Sequence, residues 1–300
     1  MRIAIAGGSG FVGKALAKRL VELEHDVFIL TRNPSRNGNN MTYVQWLTNE
    51  SDPLKHLQDI DVMINLAGES IGAGRWTPQR KNRILQSRLQ TVAEVLQLMK
   101  DLRKKPKVFL SASAIGFYGT SLHDTFTENE ITPGDDFLAD TVKQWEAKAL
   151  EAHKLDIRTV LCRFGIILDN KEGALPRMAL PYKLFAGGNL GSGQQWMSWI
   201  HLKDVVNGII FAMENEKLSG PVNFTAPKPV KMTDLGKALA QAMKRPHWLP
   251  TPAFVLKAAL GEMSLLVLEG QRVLPTKLKS AGYSFQYEQI DSALNDIYQK

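Results

Sequence analysis

Apolar residues gather in short blocks separated by stretches of helical spacing. Residues 2–6 form an apolar block that predicts a strand. Val12, Leu16, Leu20 and Leu23 then recur at i, i+4, i+8 and i+11, the period of an amphipathic helix. Further strands are expected at 27–30, 61–67, 108–112 and 158–167, and helices at about 78–101 and 136–153. The loop from Pro34 to Asn40 is rich in Pro, Gly and Asn. Such β-α-β alternation implies an α/β fold, a parallel sheet covered by helices on both faces. Right-handed crossovers make a doubly wound sheet the simplest topology.

After about residue 168 the rhythm weakens. Glycines at 187, 188, 191 and 193 suggest loops, and 222–224 reads as a strand. Helical spacing returns at 204–213, 233–244, 252–260 and 291–299. These patterns predict a sheet domain over 1–167, rejoined at about 204–225. A smaller C-terminal substrate lobe takes 168–203 and 226–300. The Met/Leu-rich stretch from Leu260 to Leu268 reads as an amphipathic core helix.

Composition narrows the class. The 300 residues are 44% hydrophobic and 22% charged, which excludes a disordered or collagenous chain. The single cysteine, Cys162, excludes an intramolecular disulfide framework and fits a reducing, cytoplasmic setting. Every apolar stretch is interrupted before about 18 residues, so no spanning helix and no membrane partner are expected. The chain carries 37 basic and 30 acidic residues, a net charge of +7. The basic residues are scattered among acids, unlike a nucleic-acid stripe, so no nucleic-acid partner is expected. The six histidines lack metal-ligand spacing, so no metal is expected. Oligomeric state is open.

The first strand leads into Gly7-Gly8-Ser9-Gly10-Phe11-Val12-Gly13, a GxxGxxG turn between strand and helix. A side chain at Gly10 would obstruct an approaching pyrophosphate, and Gly13 lets the helix pack closely on the strand. Exposed amides at the helix start suit an anion. An acid at the end of the second strand would hold a ribose 2′-OH and repel a 2′-phosphate. Thr31-Arg32 stands there instead, and arginine forms charge-assisted bonds to phosphate. The expected cofactor is therefore NADP(H).

Further motifs extend the picture: Asn65 to Ser70 (NLAGES), Ser87-Arg88, Ser113 to Gly119 (SAIGFYG), Trp145-Glu146, Trp199 to His201 (WIH), Leu268 to Pro275 (LEGQRVLP) and Ala281 to Tyr283 (AGY). With the glycine turn, this set resembles the extended short-chain dehydrogenase/reductase superfamily. It is similar in particular to the atypical, sugar-nucleotide epimerase-like group labelled epimerase family protein. The resemblance covers nearly the whole chain, with 249–297 similar to that group's small C-terminal domain. It implies a Rossmann-type, NADP-binding fold. By position it implies cofactor contacts at Gly7, Ser9, Gly10, Phe11, Val12, Gly13, Thr31, Arg32, Leu66, Ala67, Gly68 and Arg88. Arg88 suits either a phosphate or ribose contact or a plain surface role.

The resemblance implies hydride transfer on a small molecule but supplies no mechanism. That superfamily uses a tyrosine and, four residues later, a lysine on one helical face. Aligning Glu146 with the acid common in extended members puts Leu138 and Val142 at those places, and neither transfers a proton. Lys143 is about 100° around the helix. Ser113 and Tyr118 remain as catalytic candidates, each with a packing role as the alternative. Asp140 and Lys143 also suit a solvated helix face, and His201 suits a helix cap. The lost pair leaves two functions open: a reductase-like or epimerase-like enzyme, or a non-catalytic, NADP(H)-responsive binding protein. The run Gln194 to Trp199 suits either a ligand pocket or a plug between lobes.

Overall fold

The period-2 and period-3.6 blocks alternate along the chain in the computed structural model, which describes residues 1–38, 40–48 and 51–299. In chain order the strands are β1 (Arg2–Ala6), β2 (Asp26–Thr31), β3 (Arg36–Gly38), β4 (Met41–Gln45), β5 (Val62–Asn65), β6 (Val108–Ala114), β7 (Thr125–Phe126), β8 (Arg158–Phe164), β9 (Ile166–Leu168), β10 (Trp196–Met197), β11 (Trp199–His201), β12 (Gly220–Phe224), β13 (Val230–Lys231) and β14 (Arg272–Val273). The helices are α1 (Phe11–Glu22), α2 (Pro78–Asp101), α3 (Phe137–Ala149), α4 (Leu175–Lys183), α5 (Leu202–Glu214), α6 (Met232–Met243), α7 (Ala253–Leu260), α8 (Leu265–Leu268), α9 (Thr276–Ser280) and α10 (Ile290–Tyr298).

Eight strands form one sheet in the order β12-β8-β6-β5-β1-β2-β4-β3. All pairs are parallel except β3 with β4. This is the doubly wound, Rossmann-like arrangement, with its order reversing between β1 and β5. The pleat explains the two faces. Ile3 and Ile5 pack with Leu16 and Leu20 of α1 and with Val205 and Ile209 of α5. Ala4 and Ala6 face the opposite layer, with Val92 and Val95 of α2 and Trp145 of α3. A third core joins α4, α6 and α10 around Leu175, Tyr182, Leu239 and Leu294.

Several elements depart from the sequence pattern for local reasons. The strand expected over 158–167 breaks at Gly165, where a Cβ would lie 2.4 Å from the Ser198 carbonyl oxygen. There Ile166 N–H donates to that carbonyl, and the chain moves from β12 to pair with β11. The helix expected to reach 153 ends at Ala149 and tightens into a 3-10 segment, Leu150–Leu155. No continuous core helix forms over 260–268. Gly261 takes φ +59°, a 3-10 turn follows, and only Met263 and Ser264 of that turn are buried. The chain rejoins the first core through α5 and β12, and again from α9 onward, where Leu278 joins it and Tyr283 and Phe285 pack against it.

Candidate functional site

Three strand ends converge where the sheet order reverses. Ala6 pairs with Leu30 on one side and with Asn65 on the other. The segments leaving those strands, 7–10, 31–32 and 66–68, therefore lie side by side at the sheet's C-terminal edge. Open α/β sheets bind ligands at such a crevice. Gly7 takes φ +79°, and a Cβ on it would sit 2.7 Å from Ala67 N. Gly13 lies under the turn, where a Cβ would come within 2.2 Å of the Gly7 carbonyl. Gly10 faces outward, and a Cβ there would meet only the Gly7 oxygen, at 3.2 Å.

The start of α1 is built without a cap of its own. Gly10 is the N-cap, no side chain caps the helix, and no acid stands in its first turn. Gly10 N–H closes the turn on Gly7 O, and Lys14 is the first residue of α1 whose N–H is used there, donating to Gly10 O at 2.9 Å. The amides of Phe11, Val12 and Gly13 thus open the helix as donors, and the helix dipole adds partial positive charge. Ser9 is exposed in the same turn. Asn65 is fully buried; its Oδ1 accepts from Ala67 N at 3.1 Å, while its Nδ2 has no partner among the described residues. A bare glycine cradle with an orphaned donor beneath it fits a dinucleotide diphosphate.

On the β2 side, Thr31 Oγ1 accepts from Asn33 N at 3.2 Å and Arg32 stands in solvent. On the other side Leu66, half-buried, donates its N–H to Ala6 O at 2.8 Å, and Gly68 is exposed. Arg88 braces this loop from α2. Its Nη1 donates to Glu69 O and Ile84 O, and its guanidinium carbon lies 5.0 Å from the centre of the Trp145 ring. Burial pushes its pKa down to about 10, partly offset by Glu69. Arg88 is therefore half-buried support for the loop rather than a solvated surface arginine. A segment from the second lobe crosses in front of α1. Lys14 pairs with Glu172 at 3.6 Å, Gly173 sits against the Phe11 ring, and Arg177 donates to Gly72 O at 2.6 Å.

The loop leaving Gly68 runs on to a cleft of about 360 Å³ between the sheet domain and the C-terminal segment. Trp76, Phe137, Leu138 and Leu268 give it apolar walls. Lys81, Asp136, Lys257, Glu262 and Glu269 bring charge to it. Glu262 pairs with Lys81, and Asp136 caps α3 by accepting from Ala139 N at 2.8 Å. Of these residues the sequence singled out Leu138, at the tyrosine's place; the charged lining residues carried no such signal, because they come from separate segments that only the fold unites.

The two hydroxyl candidates lie in a buried network instead. Ser113 Oγ donates to Glu146 Oε1 at 2.5 Å. Arg163 donates to both oxygens of the same carboxylate, at 2.8 and 2.7 Å. Tyr118 donates to Asn223 Oδ1 at 2.8 Å and stacks on Phe126, and burial pushes its phenol pKa up. Val142 packs in this same region, whereas Lys143 is exposed and Asp140 bonds Gln144. His201 caps α5 by accepting from Lys203 N at 3.1 Å and packs on Tyr287. Trp199 is fully buried in the core shared by α4, α6 and α10 and donates to Lys228 O. Burial also pushes the Cys162 thiol up, away from thiolate chemistry. Among the described residues, no His, Cys, Asp and Glu group has metal-binding geometry. No described helix is long and apolar enough to cross a membrane.

Comparison with known proteins places this architecture. The family described as "NAD dependent epimerase/dehydratase family" matches residues 3–224, and a domain of unknown function matches 251–297. Epimerase family protein YfhF of Bacillus subtilis is 49% identical over 298 residues, covering 99% of this chain and 98% of that one. Epimerase family protein SAR0825 of Staphylococcus aureus is 42% identical, covering 99% and 98%. The crystal structure of human epimerase family protein SDR39U1 with NADPH superposes with a TM-score of 0.89 at 29% identity, covering all of both chains. UDP-N-acetylglucosamine 4-epimerase from Bacillus cereus, at 18% identity and TM-score 0.77, shares the fold. The motifs, the sheet order and the extent of these matches agree: the chain belongs to the NAD dependent epimerase/dehydratase family.

Proposed function

We propose that this protein binds NADP(H) across the Gly7–Gly13 turn and acts on a small molecule held in the adjoining cleft, as a reductase-like or epimerase-like enzyme. The observation that carries the reading is the position of Leu138, which lines the cleft from the first turn of α3. The resemblance puts the superfamily's reacting tyrosine at that residue, so the cleft occupies the substrate's place. The NADPH in the human relative's structure supports the choice of dinucleotide. The solvent-facing Arg32 supports the phosphorylated form.

NADP(H), when bound, supplies or accepts a hydride. The chain's own residues do the rest. Amides of Phe11, Val12 and Gly13 hold the diphosphate, and Leu66 to Gly68 pass along the other side. Trp76 and Phe137, in edge contact at 5.4 Å, exclude water from the cleft. Leu138 and Val142 have no proton to exchange. Proton transfer therefore falls to the cleft's ionisable groups, Asp136 and Glu269 among them.

The same two apolar residues favour a second reading, an NADP(H)-responsive binding protein without turnover. Incubation with C4-deuterated NADPH and a panel of carbonyl metabolites separates the two. The enzyme reading expects deuterium in a product carbinol; tight NADPH binding with no transfer to any acceptor supports the binding protein.

A further inference from the structure

Seven of the eleven exposed large apolar side chains among the described residues lie on one region of the second lobe. They are Leu180, Leu184 and Phe185 at the end of α4, Trp248 and Leu249 before α7, and Phe254 and Val255 within it. The segments are laced together. Gly187 O accepts from both Trp248 N and Leu249 N, Trp248 Nε1 donates to Phe185 O, and Thr251 N donates to Asn189 O. Helix α7 reads Ala-Phe-Val-Leu-Lys-Ala-Ala-Leu and buries none of its residues. Phe185 takes φ +60°, uncommon for a bulky residue, while its ring stays 56% exposed. The fold holds these side chains outward without burying them.

The charge around them is one-sided. Residues 173–202 and 235–261, which carry the whole patch, contain no Asp or Glu. They contain Arg177, Lys183, Lys237, Lys244, Arg245 and Lys257, all exposed, with Glu172, Asp234 and Glu262 just outside their ends. Lys183 precedes Leu184 in the chain, and the Arg245 guanidinium, next to Lys244, lies 4.5 Å from the centre of the Phe185 ring, so cations stand beside the apolar tips. A symmetric contact between two copies would set this positive face against itself, which disfavours that occupant. An anionic surface meets both features: bulky aromatic and aliphatic tips for the acyl boundary, and a cationic surround for headgroups.

We infer that this face docks the protein on an anionic lipid bilayer, as a peripheral contact and not a span. Leu184, Phe185, Trp248 and Phe254 enter the interface, and Lys183, Lys244 and Arg245 lie against the headgroups. The sequence reading expected no membrane partner because no stretch can cross; docking needs no crossing. This inference stands independently of the cofactor reading.

The test is co-sedimentation of the full-length protein with vesicles of phosphatidylcholine alone and of equimolar phosphatidylcholine and phosphatidylglycerol. The inference expects binding to the mixed vesicles only, weakened at least about tenfold in high salt. Phe254→Glu and the double variant Lys244→Glu/Arg245→Glu are each expected to weaken it about tenfold. Their circular dichroism melts should match wild type, because these side chains face solvent. Failure to bind mixed vesicles, or equal binding to neutral ones, overturns the inference. So does light scattering that shows a dimer dissociated by Phe254→Glu with no vesicle binding, which makes the face a self-association surface. Retention on an acidic protein partner with no vesicle binding overturns it as well.

Discussion

Glu146 on α3 and Arg163 on β8 meet as a buried two-pronged ion pair, Oε1 to Nε at 2.8 Å and Oε2 to Nη2 at 2.7 Å, with Ser113 completing the carboxylate's shell. Both side chains are almost wholly excluded from water. Arg163 also lies over the Phe117 ring, 3.6 Å from its centre. This pair ties the helix that lines the cleft to β8, next to the β12 edge of the sheet. Removing one partner leaves the other charge buried and uncompensated. Glu146→Gln is therefore expected to destabilise the fold by about 3–5 kcal/mol, read by urea denaturation. Ser113→Ala removes one donor to the carboxylate but leaves the ion pair, and should cost about 1.5–3 kcal/mol. NADPH affinity unchanged in Ser113→Ala would fit its structural placement; hydride transfer abolished in the same variant at full stability would return Ser113 to the chemistry.

The middle and last glycines of the turn should respond differently to alanine. At Gly13 the new methyl meets backbone on β1's turn, so Gly13→Ala is expected to lower stability by at least about 1–3 kcal/mol. At Gly10 the methyl meets only one oxygen, at 3.2 Å, and otherwise points into the crevice. Gly10→Ala should melt close to wild type yet lose most of the rise in melting temperature that NADPH produces.

Arg32 is the proposed reader of the 2′-phosphate. Arg32→Glu should weaken NADPH by about 10–100-fold, the range of one charge-assisted hydrogen bond, and leave NADH equal or tighter. Isothermal titration with both dinucleotides gives the ratio directly. An unchanged preference would remove Arg32 from the site.

His247 predicts a pH dependence. Its Nδ1 lies 2.9 Å from Tyr182 Oη and its Nε2 lies 3.0 Å from Asn189 Oδ1. The neutral ring satisfies both, accepting from the tyrosine and donating to the amide oxygen. Burial, with Lys237 nearby, holds its pKa below the ordinary 6.5. The unfolded chain then takes up the proton first. Its share of stability is complete above 6.5 and declines as pH falls through that value toward the folded pKa. Thermal melts from pH 7.5 to about 5 should show this loss. His247→Gln, which retains a donor and an acceptor, should flatten the slope.

Six of the main sheet's eight strands were legible because they are short apolar blocks and the crossover helices keep a clean 3.6 period, as in α2, which begins at Pro78 after the Thr77 cap; β3, wholly exposed and within the stretch read as a loop, and β4, mostly half-buried, were not. The nucleotide turn was legible because glycine is irreplaceable where Gly7 and Gly13 touch backbone. The second lobe was less so. Its short strands β9, β10, β11 and β13 are two or three residues long, too brief to show a period. The break at Gly165 depends on Ser198, a residue far along the chain. The cleft was legible only at Leu138, which the resemblance put at the reacting tyrosine's place. Lys81, Asp136, Lys257 and Glu269 lie on four separate segments, and no spacing rule connects them. Nor did the sequence suggest that Tyr118 would bond Asn223, which lies 105 residues away.

The central claim is that the Gly7–Gly13 turn and Arg32 together hold a phosphorylated dinucleotide. Differential scanning fluorimetry of the purified protein with NADPH, NADP, NADH and NAD at equal concentration tests it most directly. The account predicts a clear rise in melting temperature with NADPH or NADP and a smaller one with the unphosphorylated pair. A melting temperature that none of the four moves would contradict it.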